Sequence, residues 1–226
     1  ECIICSQAEV IMKTLDFQLS CIDPRTYLAE DATISTNLFG GILDCSNQLR
    51  IVYSSSKGKR PTQEDVVFTR MNHEVRCTMI SIYDGHCGTT CATQLQNYFS
   101  REFEKESFHF SKYTEADLKN TFSHVDDDVC DFLRKINNKS GSTALVALFY
   151  SDDDLMLTLS NVGDSSAVLV SSGKAILLNN LHRLNTTSER ERVLRGGGII
   201  RNERVNGVVA VTRSFGDVHH KDDDEK

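Results

Sequence analysis

Two stretches of this chain carry the spacing of helices, and they lie side by side between two β-rich runs. Ala92, Leu95, Phe99 and Phe103 recur every three or four residues, as do Leu118, Phe122, Val125, Val129 and Leu133. Each stretch therefore presents one apolar stripe for burial. The spacing predicts helices over 89–105 and 114–134, the second opened by Thr114 and Asp117 in an approximate capping box. Before them, "LRIVYSS" (49–55), "VVFTR" (66–70) and "VRCTMISIY" (75–83) read as strands, the last two joined by the turn "MNHE". After them come "TALVALFY" (143–150), "LMLTLSN" (155–161) and the hairpin "SAVLVSSGKAILL", turning at Ser172 and Gly173. Ser188 and Glu191 have the S-x-x-E spacing of a short helix that ends at glycines 196–198. "RVNGVVAVT" carries Asn206-Gly207, a strong hairpin signal. Strands in runs with helices grouped between them predict an α+β fold, not the strict alternation of a parallel βαβ sheet.

The rest of the composition bounds the partners. With 226 residues, 39% hydrophobic, and only Pro24 and Pro61 as prolines, the chain has core enough for one domain and no linker to divide it. A formal net charge of −7 argues against nucleic acid or an anionic membrane as partner. No apolar run approaches the roughly 18 residues of a spanning helix. The opening "ECIICSQAEVIMK" is too short and acidic for a signal peptide, and without an initiator methionine the chain reads as processed or a fragment. Cys2 and Cys5 form a C-x-x-C with no second pair to complete a zinc site. Eight scattered cysteines are then expected to be reduced, in an intracellular (cytoplasmic or nuclear) monomer. Residues 1–48 show no clear period and stand as an N-terminal segment, 49–221 as the domain, and 222–226 as a charged tail. The stretch "HHKDDDEK" is expected to be a solvated charge run.

Four acidic sites end strands or open turns: Glu64 with Asp65, Asp84, Asp164 and Asp217. Singly, each aspartate is an ordinary solvated turn residue. As a set they offer the carboxylate and carbonyl oxygens that hard divalent cations prefer. His86 follows Asp84 in "YDGHCG", so a metal ligand and an acid would share one strand tip.

Order and spacing add more. "KGKRPTQED", "YDGHCG", "GSTALVAL", "LSNVGDSSAVLV", "LLNNLHRLNTTSERERVLRGGGII" and "RVNGVVAVTRSFGD" follow one another as the motifs of a known family do. Over about residues 49–221 the chain resembles the protein phosphatase 2C family of metal-dependent serine/threonine phosphatases. The resemblance implies a sandwich of two mostly antiparallel β-sheets with the helices packed outside. It implies two magnesium or manganese ions, with Asp84 bridging them, the Gly85 carbonyl and Glu64 as ligands, Asp65 among the surrounding waters, and Asp164 helping to hold a further ion. Arg60 would grip the phosphate of a phosphoprotein, its guanidinium fork fitting two oxygens. His86 would protonate the leaving oxygen, a contribution of about 10²–10⁴-fold. Read without the resemblance, Arg60 is a surface arginine paired to a carboxylate and His86 a packed turn histidine.

Departures from the family pattern set a second expectation. Cys87 stands where the motif has its second glycine, Ser166 where it has arginine, and Leu181 where it has aspartate. The later "DGxWD" and "DN" motifs, each contributing a metal-binding aspartate, do not occur, so the C-terminal part of the fold is expected to be missing. The chain as it stands is expected to bind metal weakly and to turn over poorly or not at all. The alternative is a catalytically inactive pseudophosphatase that binds a phosphoprotein or a signalling partner. A thiol phosphatase is excluded because no cysteine begins a C-x5-R loop, and nucleotide-binding glycine motifs are absent.

Overall fold

The computed structural model describes residues 9–14, 39–46, 49–72, 76–105, 113–151 and 155–221. The C-x-x-C, residues 152–154 between two of the expected strands, part of the "MNHE" turn and the tail 222–226 lie outside these residues. The described chain is antiparallel throughout. Strands β1 (Glu9–Thr14), β4 (Asp65–Asn72), β5 (Cys77–His86), β6 (Gly141–Ser142), β7 (Ala144–Ser151), β8 (Leu155–Val162) and β13 (Phe215–Gly216) form one seven-stranded sheet. Its order is β1-β8-β7-β5-β6-β13, with β4 beside β5. Apart from this sheet stand two-stranded ladders: β2 (Phe39–Ser46) with β3 (Leu49–Ser55), and β9 (Val168–Ser171) with β10 (Lys174–Leu177). A smaller ladder, β11 (Ile200–Arg201) with β12 (Arg204–Val205), follows helix α3 (Thr187–Arg195). Strand β1 falls in the stretch to which periodicity assigned nothing, and runs along the edge of β8.

The two expected helices are α1 (Thr90–Glu104) and α2 (Glu115–Lys135). Every stripe residue named from the sequence is buried. Thr114 accepts from the Asp117 amide while the Asp117 carboxylate accepts from the Thr114 amide, a complete capping box. In α1, Thr89 makes no side-chain cap; the buried Ser140 hydroxyl instead accepts from the Cys91 amide.

Both helices cover one face of the sheet. Alternate β5 residues Cys77, Met79 and Tyr83 point into their core, where the Tyr83, Phe99, Phe122 and Phe215 rings lie 4.8 to 5.9 Å apart. On the opposite face Leu145, Leu157, Leu159 and Leu178 pack with Leu169 of β9, while Ile82 stays 39% exposed.

Three local expectations need correction. Ser188 sits inside α3, whose N-cap is Thr186, so the S-x-x-E spacing placed the start two residues late. Asn206-Gly207 closes only a tight turn with a single Val205–Val209 bridge; the ladder before it turns at Asn202 and Glu203, both with positive φ. Finally, Lys221 is no solvated charge: its ammonium is nearly buried, 2.7 Å from the Asp126 carboxylate, in the short helix α4 (Val218–Lys221).

Candidate active site

Strand pairing brings the first carboxylates together. Asp65, the first residue of β4, is paired across from Asp84 near the end of β5. Thr143 fixes Asp84 from the other side, since its hydroxyl accepts from the Asp84 amide and its amide donates to the Asp84 carbonyl at 2.9 Å. The same hydroxyl lies 2.9 Å from Ser165 Oγ, which ties the Asp164 loop to the Asp84 strand. His182 completes that tie by accepting from the Gly163 amide through Nδ1. It is buried, and burial followed by the charge of Arg213 pushes its pKa down to about 4, leaving a neutral ring suited to accept.

Asp84 is open to solvent on one side. Desolvation on the other, followed by repulsion from Asp65 and Asp164, raises its pKa above the ordinary carboxylate value. Glu64 is drawn in through its backbone and side chain alike. Its carbonyl accepts from the Gly85 amide, and its Oε1 accepts from the Gly88 amide at 3.0 Å. A Cβ at position 85 would lie 2.6 Å from the Glu64 carbonyl oxygen, so the close approach requires glycine. Arg60 stands exposed in the loop ahead of Glu64.

Two observations run against a simple cradle. The Asp164 carboxylate is engaged by the Arg183 guanidinium at 2.8 Å. Among the described residues, no three His, Cys, Asp or Glu side chains converge closely enough to hold a metal ion by themselves. The donors that do approach are all oxygens, which suits magnesium or manganese. Cys87, directly after His86, has φ of 57°, a left-handed conformation that a side chain disfavours by roughly 1–2 kcal/mol and glycine adopts freely.

His86 is part-buried, and its Nε2 lies 2.9 and 2.8 Å from the two oxygens of Asp217. Asp217 is 4% exposed and also accepts from Ser214 Oγ at 2.5 Å. Burial opposes protonation of His86, but the bond and charge of Asp217, helped by Asp84 and Glu64, hold its pKa above the ordinary value. Burial would raise the Asp217 carboxyl in turn, but His86, Ser214 and Lys221 hold it below the usual range. Gly141 leaves room for the pair, because a Cβ there would overlap His86 Nε2 and lie 2.5 Å from the Asp217 carboxylate. Sequence reasoning named Asp217 as an acidic strand end without a role. Thr143, His182 and Ser214 carried no signal beyond lying inside the quoted motifs.

Residues 50–226 match the model of a family described as protein phosphatase 2C. The chain is 32% identical to "Probable protein phosphatase 2C 69" of Arabidopsis thaliana, over 91% of this chain and 57% of that protein. It is 35% identical to "Probable protein phosphatase 2C 55" of rice (Oryza sativa subsp. japonica), over 73% of this chain and 44% of that protein. The chain thus spans about half the length of these curated relatives. Among solved structures, a "C.elegans sex determining protein" superposes with a TM-score of 0.60 at 24% identity, covering 83% of this chain and 46% of that one. A phosphatase from Toxoplasma gondii superposes at 0.59 and 21%, covering 72% and 62%. At these identities the superpositions speak for the fold alone.

Proposed function

Since the chain belongs to the protein phosphatase 2C family, we propose that its 49–221 domain hydrolyses phosphoserine and phosphothreonine in proteins with magnesium or manganese. One observation carries this reading: Asp84, crowded by Asp65 and Asp164, shares a strand tip with His86. Carboxylates that raise one another's pKa are relieved by a cation, and a histidine two residues along the same strand supplies the proton such a reaction needs. Asp84, the Gly85 carbonyl and Glu64 would hold the ion, with Asp65 and Asp164 around it. A divalent ion bound there supplies Lewis-acid charge to phosphoryl oxygens. Arg60 would orient the phosphate, and His86 would pass a proton to the departing serine or threonine oxygen.

Three observations favour a second reading, a pseudophosphatase that binds a phosphoprotein or signalling partner without turnover. They are the Asp164–Arg183 pair, the strained Cys87, and the lack of a three-group cluster among the described residues. A phosphoserine peptide assay across a manganese series, with manganese calorimetry beside it, separates the two. Metal-dependent phosphate release that disappears in Asp84→Asn is the expected result for the enzyme. Peptide binding without release at any manganese concentration rejects the enzyme in favour of the binder.

A further inference from the structure

We infer that Asp217 is the positioning residue for His86 and that it assigns the proton-donating role to Nδ1. This inference rests on the reading of His86 as the acid. A histidine at a strand tip has two ring nitrogens and rotates about two side-chain bonds, so an acid there needs an orienting partner. The partner in this fold comes from far along the chain. Asp217 is 131 residues away in sequence, and both its oxygens lie within 2.9 Å of Nε2.

The carboxylate is itself held. Ser214 Oγ donates to Oδ2, the Asp217 amide donates to the Ser140 carbonyl, and the His220 amide donates to the Asp217 carbonyl. Gly141, on β6 paired with His86, forms the wall against both partners. An acceptor-only carboxylate on Nε2 requires a proton there, which commits Nε2 to the fold. Nδ1 is then the nitrogen left for chemistry. In the transfer, a water oxygen bonds to phosphorus as the bond from phosphorus to the serine oxygen breaks. The Nδ1 proton goes to that oxygen, giving the free alcohol and inorganic phosphate. The ring is left neutral, with its proton on Nε2 and a lone pair on Nδ1, and regains a proton from solvent.

The first measurement needs no turnover. Nitrogen-15 correlation spectra of the whole chain, with His86→Gln to assign the signal, report which ring nitrogen carries the proton in the neutral ring. A single tautomer protonated at Nε2 is expected, and Asp217→Asn should turn it into a mixture. An Nδ1-protonated ring in the wild type, or an unchanged tautomer in folded Asp217→Asn, overturns the inference. The wild-type spectrum decides even if the variant fails to fold.

The second measurement uses leaving groups. p-Nitrophenolate departs without a proton, whereas a serine oxygen does not. Asp217→Asn should lose about 10–100-fold in kcat on a phosphoserine peptide, and far less on p-nitrophenyl phosphate. Equal losses on both substrates would reduce Asp217 to a structural residue and overturn the inference. A wild type that hydrolyses neither substrate at any manganese level counts against the phosphatase reading, while the tautomer still decides the role of Asp217.

Discussion

His86 and Asp84 stand two residues apart on one strand, on the same face of the pleat, yet their surroundings are opposite in kind. Around His86 the fold supplies each counterpart itself: a buried carboxylate, a serine that fixes it, and a glycine that leaves them room. Around Asp84 the fold gathers like charges from Asp65 and Asp164, whose repulsion outweighs the attraction of His86, and the Arg183 guanidinium engages Asp164. The first arrangement is complete as a protein structure. The second is held by backbone bonds from Thr143 and the Asp65 register, which bear the cost of repulsion that an oxygen-seeking cation would remove. The contrast shows which part of a site stabilises its fold and which part the fold must pay for.

The largest test uses pH, because the histidines on the two sides work with opposite sign. His182 supports the Asp164 loop as a neutral ring, with its pKa lowered from 6.5 to about 4. Its contribution is complete above the unfolded value and is lost as pH falls from 6.5 towards 4. The shift corresponds to something on the order of 3 kcal/mol. Urea unfolding at pH 7 and pH 4.5 should show the loss, and His182→Gln should reduce the difference. His86, whose pKa is raised, contributes in the other direction: fully below its unfolded pKa, fading as pH rises through the folded one. Unfolding of His86→Gln should therefore show less decline on the alkaline side. A wild type and His182→Gln with the same acid dependence would break this part of the contrast.

Gly141→Ala comes next. The added methyl overlaps the His86 ring and the Asp217 carboxylate, so the pair must part at a cost of about 1–3 kcal/mol. Thermal melts should record the loss. Asp84→Asn should act in reverse: removing one of three repelling carboxylates leaves stability unchanged or raises it, by under about 1 kcal/mol given the solvent at Asp84. A marked loss of stability in Asp84→Asn would mean that its charge is already balanced within the fold. The smallest effect is expected of Arg183→Ala, whose exposed pair with Asp164 is worth about 0.2–1 kcal/mol. Calorimetry should nonetheless show tighter manganese binding in this variant if Asp164 serves a cation.

Much of the frame was legible because it obeys short-range rules. The stripes of α1 and α2 are local periodicities, and the Thr114–Asp117 box and the Ser172-Gly173 turn are decided within four residues. Where local signals competed, reading by pattern slipped. Ser188 offered as good a cap as Thr186, and Asn206-Gly207 outshone the Asn202-Glu203 turn that ends the ladder. The edge strand β1 has no clear period of its own, since pairing with β8 places it. Lys221 looked solvated because its neighbours are charged, and the Asp126 carboxylate on α2 with the Ser214 carbonyl accounts for its burial.

At the site, the sequence alone determined the inventory: carboxylates, a histidine and glycines at strand tips, in an order shared with the protein phosphatase 2C family. Tertiary structure decided which of them meet. Closure of β5 against β4, β6 and β7 sets Asp65 opposite Asp84 and Thr143 beneath it. The antiparallel pairing of β13 with β6 carries Asp217 to His86. Such meetings depend on register and on packing between segments far apart in the chain, 59 residues for Asp84 and Thr143 and 131 for His86 and Asp217. No local propensity encodes a contact of that kind, because its free energy arises only once the sheet has formed.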